Sequence, residues 1–176
     1  MLFRSNTTAS CTSVPAAAIV TATDNCGTAT VVMSSVTTAG NCPGNYTITR
    51  TWTATDQCGN TSGASQTITV TDNTAPVLVG VPLNVTATCE IGPGTSPIVT
   101  ATDNCGTASV VMNEVTTPGN LAGNYSIIRT WTATDQCGNT SSALQVITIK
   151  DITAPVVPVL VDVRDRKSTR LNSSHG

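Results

Sequence analysis

The chain runs to 176 residues with eight basic and ten acidic side chains, seven cysteines and one histidine, and its formal net charge is −2. Residues 1–163 hold only four basic residues against nine acidic ones, net −5, and so carry no electrostatic footprint for nucleic acid or an anionic membrane. No apolar run approaches the ~20 residues that span a bilayer, so no membrane insertion is expected.

In chain order, a short strand is predicted at 6–11, then strands at 17–24 and 28–37. The segment from Tyr46 to Thr55 alternates strictly: Tyr46, Ile48, Arg50, Trp52 and Ala54 face one way and threonines the other. Such period-2 patterning marks a half-buried strand. Residues 65–72 do the same, with Gln66, Ile68 and Val70 set against Thr67, Thr69 and Thr71. Turn signals (DNCG, AGNCPGN, DQCGN) separate these segments, and no helical period is found.

The pattern then repeats. Residues 50–62 read RTWTATDQCGNTS and recur at 129–141, while IVTATDNCGTA at 19–29 recurs at 98–108, both 79 positions on. A fixed period makes the chain an array of one unit. The boundaries are read as 1–73 for the first unit, which lacks a leading strand, and 74–152 for the second, which has one at 76–87. Residues 153–163 (TAPVVPVLVDV) repeat the opening of the second unit and are read as the opening strand of a third. At 164–176 the composition breaks, and RDRKSTRLNSSHG reads as a non-native, adapter-like tail. Short strands at this spacing point to an all-β fold of tandem immunoglobulin-like β-sandwich modules, with a solenoid as the rival.

The first unit carries Cys11, Cys26, Cys42 and Cys58; the second carries Cys89, Cys105 and Cys137, with Leu121 where Cys42 would recur. The strand between Cys42 and Cys58 is roughly 33 Å long. Paired cysteines need Cα atoms within about 7 Å, so those two cannot bond. Cys26 and Cys58 fall in Asp-x-Cys-Gly turns at one pole, and Cys11 and Cys42 in loops at the other. The expectation is therefore Cys11–Cys42, Cys26–Cys58 and Cys105–Cys137, with Cys89 a free thiol. Each bridge would close a loop of about 32 residues and contribute roughly 3–4 kcal/mol. Disulfide-dense small modules belong outside the reducing cytosol, so the expected setting is extracellular or at the cell surface. Zinc is the rival reading, but the spacing has no CxxC pair and the array no histidine.

The frame TATDNCG, CPGNYTITRTWTATDQCGN and ITVTDNTAP resembles the hyalin-repeat (HYR) family in its four-cysteine, HYR-like variant. The resemblance covers about residues 6–152. It implies an immunoglobulin-like β-sandwich found in tandem in secreted and cell-surface proteins, serving adhesion or spacing rather than catalysis. Leu121 departs from the four-cysteine pattern.

Other residues invite sharper readings. Asp24, Asp56, Asp103 and Asp135 each precede a Cys-Gly turn, and carboxylates with turn carbonyls suit calcium. The plainer account is an Asx-turn, each carboxylate accepting the N–H two residues on. The junction VTDNTAPV, with Asp72, Asn73 and Pro76, distantly resembles calcium-rigidified cadherin linkers but lacks a second acidic cluster of its own. Trp52 and Trp131 read as core anchors, with Arg50 and Arg129 stacked on them. Asn45, Asn60, Asn124 and Asn139 sit in glycosylation-type sequons. Residues 1–163 contain no histidine, one lysine and no phosphate loop, so a serine or cysteine nucleophile lacks a base. The expected function is a non-catalytic, disulfide-stapled spacer in a secreted or cell-surface adhesin-like protein, without a cofactor and with neighbouring repeats as partners. The alternative is a module that recognises a glycan or surface protein through loops at one pole, with calcium.

Overall fold

The computed structural model describes residues 6–157. The readings made on residues 158–163 and on the tail at 164–176 lie outside them. Among the described residues there is no helix, and none is long and apolar enough to cross a membrane.

The first module consists of β1 (Thr7–Ser10), β2 (Ala29–Ala39), β3 (Tyr46–Asp56) and β4 (Thr61–Thr71). They form one sheet in the order β1-β4-β3-β2, with β1 parallel to β4 and the other pairs antiparallel. The alternation in β3 places Arg50 and Trp52 on the covered face, at 8% and 5% exposure, opposite Gln66 and beside Ile68 and Val70. Threonine suits the other face because its branched side chain fits a pleated, half-solvated surface.

The second module repeats this plan and adds to it. β5 (Val77–Val79), β6 (Val85–Thr88), β7 (Thr100–Thr102), β8 (Ala108–Pro118), β9 (Tyr125–Asp135) and β10 (Thr140–Lys150) follow in order. A four-stranded sheet runs β6-β10-β9-β8, and β5 pairs antiparallel with β7 as a second, smaller layer. Ile127, Ile147 and Ile149 form its packed cluster, with Trp131 at 2% and Ala133 at 0% exposure on the same strand. The fold is thus all-β, two similar β modules in tandem, as the period and alternation imply, with the second sheet layer present only in the second module among the described residues.

Two strand expectations are corrected. The single leading strand expected at 76–87 is two strands, because Gly80 adopts φ +85° and lies two residues before Pro82, which cannot donate a ladder hydrogen bond. The strand expected at 17–24 is absent from the first module. Its counterpart β7 exists because β5 pairs with it, and among the described residues of the first module nothing plays the part of β5.

Candidate functional site

The register fixes where the cysteines lie. Cys11 follows β1, which runs parallel to β4, and Cys42 precedes β3, so both sit at the β4 C-terminal end of the first sheet. Cys26 precedes β2 and Cys58 follows β3, at the opposite end. The polar separation read from the sequence therefore matches the sheet; the pairing does not.

Cys11 is bonded to Cys105 and Cys42 to Cys137, with Cα–Cα distances of 6.0 and 5.2 Å. Both bonds cross from one module to the next. Cys26, Cys58 and Cys89 are exposed free cysteines. The expected Cys11–Cys42 bond fails because β4 lies between β1 and β3. Two strand spacings make about 9.6 Å, more than a disulfide reaches. The expected Cys105–Cys137 bond fails because each of these cysteines is bonded to the first module, and the expected Cys26–Cys58 bond is not formed, both thiols being free. Sequence reasoning had the poles and treated each module as closed on itself.

The linker is held between the bonds. At the exit of β4, the Asp72 N–H donates to Asn45 Oδ1 (2.7 Å) and Asp72 Oδ1 accepts the Thr74 N–H (3.1 Å). The second module has the same turn, with Asp151 donating to Asn124 and accepting from Thr153. Yet Asp72 is 5% exposed while Asp151 is exposed, and a module follows Asp72 and covers it. Asn139 Nδ2 donates to the Asp72 carbonyl (3.2 Å), and Ser141 Oγ to that of Pro76, which is fully buried.

All four candidate carboxylates make the Asx-turn. The N–H groups of Cys26, Cys58, Cys105 and Cys137 donate to Asp24, Asp56, Asp103 and Asp135 at 2.8 to 3.0 Å. Asn60 and Asn139 add backbone and side-chain bonds to Asp56 and Asp135. In Asp56 the Asn60 amide leads in holding the carboxyl below its ordinary value. In Asp135 burial pushes upward, but the bonds from Asn139, Cys137 and Gly138 outweigh it and the carboxyl again lies low. The sequon asparagines thus have structural work in these turns.

The junction also gathers charge. Carboxylate oxygens of Asp72, Asp103 and Asp135 lie within 4.8 Å of one another. Asp103 Oδ2 is buried and accepts no hydrogen bond. Asp24 and Asp56 are joined by no third acid among the described residues. Sequence reasoning placed Asp72 in the linker and discounted it for want of a second acidic cluster; that cluster comes from the turns of the following module.

Arg50 and Arg129 do a further job that spacing did not reveal. Arg50 Nη2 donates to the Pro15 carbonyl (2.7 Å) and Arg129 Nη2 to that of Gly94 (3.1 Å). These carbonyls stand 79 positions apart, so each arginine ties the equivalent crossing loop to its sheet. Arg129 also pairs with Glu114 at 2.7 Å.

Comparison with known proteins follows the same lines. The HYR-like domain with 4 cysteines matches residues 3–70 and 83–149. No curated protein matches the chain in sequence. Among solved structures, the crystal structure of Drosophila N-cadherin EC1-4 is similar at 16% identity and a TM-score of 0.34. That match covers 72% of this chain, which spans 42% of the cadherin chain. With both modules matched over most of the chain, the protein belongs to the HYR-like family with 4 cysteines, as two repeats in tandem.

Proposed function

We propose that the chain is a load-bearing spacer of an extracellular, adhesin-like protein, in which successive modules are clamped by disulfides across their junction. The observation that carries this reading is that both bonded cysteine pairs join one module to the next. A single flexible linker lets modules swing, whereas two bonds on different strands remove the hinge. Either bond alone closes a loop of about 95 residues, for which chain entropy gives about 4–5 kcal/mol. Bonds of this kind persist in an oxidising setting, which favours a secreted or surface location.

The clamp has a mechanical consequence. Tension entering at residue 6 reaches the Cys11–Cys105 bond and passes to the Cys42–Cys137 bond through two segments of nearly equal length, 11–42 and 105–137, while the longer 42–105 segment stays slack. Pulling the oxidised chain between residues 6 and 151 then extends it by a path of only about 50 residues, roughly 170 Å at ~3.4 Å per residue. After reduction the whole chain extends, roughly 490 Å by the same measure. Two events of similar size from the oxidised chain would contradict the clamp.

A second reading concerns calcium at the same junction. Three carboxylates crowd together and one buried oxygen lacks a donor. A hard divalent cation takes carboxylate and carbonyl oxygens and would offset the repulsion. Asp72, Asp103 and Asp135 would hold it and stiffen the linker further. Thermal melts in calcium and in chelator should differ by several degrees, with the difference lost in Asp103→Asn. Identical melts would remove calcium from the account.

A further inference from the structure

We propose that β2 is the edge through which this chain docks on a second copy of itself, the two β2 strands pairing antiparallel about a twofold axis at Ser34 and joining their sheets into one.

Each four-stranded sheet has one short edge and one long one. β1 and β6 close one side with four residues each, whereas β2 and β8 leave eleven-residue strands open on the other. Alternate residues of an edge strand turn their N–H and C=O groups away from the sheet, a template for another strand. Among the described residues, no backbone hydrogen bond reaches Ala29–Ala39 apart from the ladder to β3. Val32 and Val36 stand on the outer face of this edge at 68% and 61% exposure. Their counterparts Val111 and Val115 on β8 are 68% and 51% exposed, and the two strands share one burial pattern. The second module has β5 and β6 ahead of it and is equally open along this edge, so the opening belongs to the topology of the module itself.

Sheets commonly guard such edges with lysine, proline, a bulge or a short strand. β2 has none of these. Its sequence, ATVVMSSVTTA, holds no charged residue, proline or glycine, and it pairs with β3 one to one from Ala29–Asp56 to Ala39–Tyr46. β8 is partly guarded, by Glu114 in its middle and Pro118 at its end. β2 is therefore the edge that accepts a partner.

Two features select a second copy as that partner. The first is self-complementarity: Val32 and Val36 lie two residues either side of Ser34, and Thr30 and Thr38 lie four. Antiparallel pairing about Ser34 sets Val32 against the second copy's Val36 and Thr30 against its Thr38, and directly opposed β-branched pairs are what stabilise such a ladder. The second is charge. Residues 1–163 carry four basic side chains against nine acidic ones, net −5, yet paired β2 strands take no ion out of water and set no like charges face to face. A charged peptide on the same edge would lose hydration and meet no counter-charge along β2. Area sets the strength. Eleven residues span about 37 Å, and a strip ~10 Å across buries about 370 Å² per copy, under half of the ~800 Å² of a standard interface. The pairing is thus weak, reversible and isologous, and it closes at two copies.

The test uses the full chain with the exposed thiols removed as Cys26→Ser, Cys58→Ser and Cys89→Ser, so that no other free thiol among the described residues can cross-link. Sedimentation velocity over a hundredfold range of concentration should show a monomer passing into a dimer. Val32→Lys with Val36→Lys sets like charges opposite each other and should weaken the dimer at least tenfold, with the melting temperature unchanged because both side chains are exposed. In a glutathione redox buffer, Ser34→Cys should cross-link to its own copy at least several-fold faster than Thr30→Cys, whose equivalents lie roughly 27 Å apart in this register. A monomer at every concentration, equal cross-linking at positions 30 and 34, or a dimer that survives the lysine pair overturns the proposal. So does a dimer lost in Val111→Lys with Val115→Lys alone, which would place the contact on β8. None of these outcomes bears on the disulfide clamp, which peptide mapping tests separately.

Discussion

At the level of single residues, the carboxylates at the Cys-Gly turns set how the protein meets acid. Asp56 and Asp135 titrate below the ordinary value of 3.8 because the folded turns donate hydrogen bonds to their charged forms. A group with a lower folded than unfolded value stabilises fully above the unfolded one, and that contribution fades as pH falls through the folded one. The turns should therefore contribute constant stability down to about pH 4 and lose it below. Urea midpoints measured from pH 7 to 2 should show this fall, shallower in the double variant Asp56→Asn, Asp135→Asn. An unchanged slope would detach acid sensitivity from these turns. The Asx-turns were legible from the Asp-x-Cys-Gly spacing, because an Asx-turn is made within three residues. The meeting of Asp72 with Asp103 and Asp135 was not, since it depends on how one module seats on another.

At the level of elements, alternation carried most of the information. β3 and β9 are strands where Tyr46–Thr55 and its repeat said they would be, and Trp52 and Trp131 are buried as expected. A strand with one covered face is specified by its own period, whatever its neighbours. Short strands are different. Thr21–Thr23 and Thr100–Thr102 share the sequence TAT, yet only the latter is a strand, because only it has β5 beside it. The core pattern yields a graded expectation. Ile147 is fully buried within the isoleucine cluster, so Ile147→Ala should cost about 2–5 kcal/mol in denaturant unfolding followed by tryptophan fluorescence. Val111, 68% exposed on the edge strand β8, should tolerate alanine within about 0.5 kcal/mol. Equal effects at the two sites would mean the sheet face is assigned wrongly.

For the whole molecule, the repeat of 79 residues fixed the number of modules, and the cysteine positions fixed which pole each thiol occupies. What lay beyond the sequence was the partner of each pole. A repeat read alone offers its own four cysteines to one another, and only the stacked array sets Cys11 against Cys105 and Cys42 against Cys137. The clamp and the buried linker aspartate both follow from that single arrangement. The direct test is peptide mapping of the full chain produced in an oxidising compartment, unreduced, with free thiols alkylated. The account requires Cys11–Cys105 and Cys42–Cys137 peptides as the dominant linked species. Recovery of Cys11–Cys42 and Cys105–Cys137 instead would show modules closed on themselves, and the clamped spacer would be wrong.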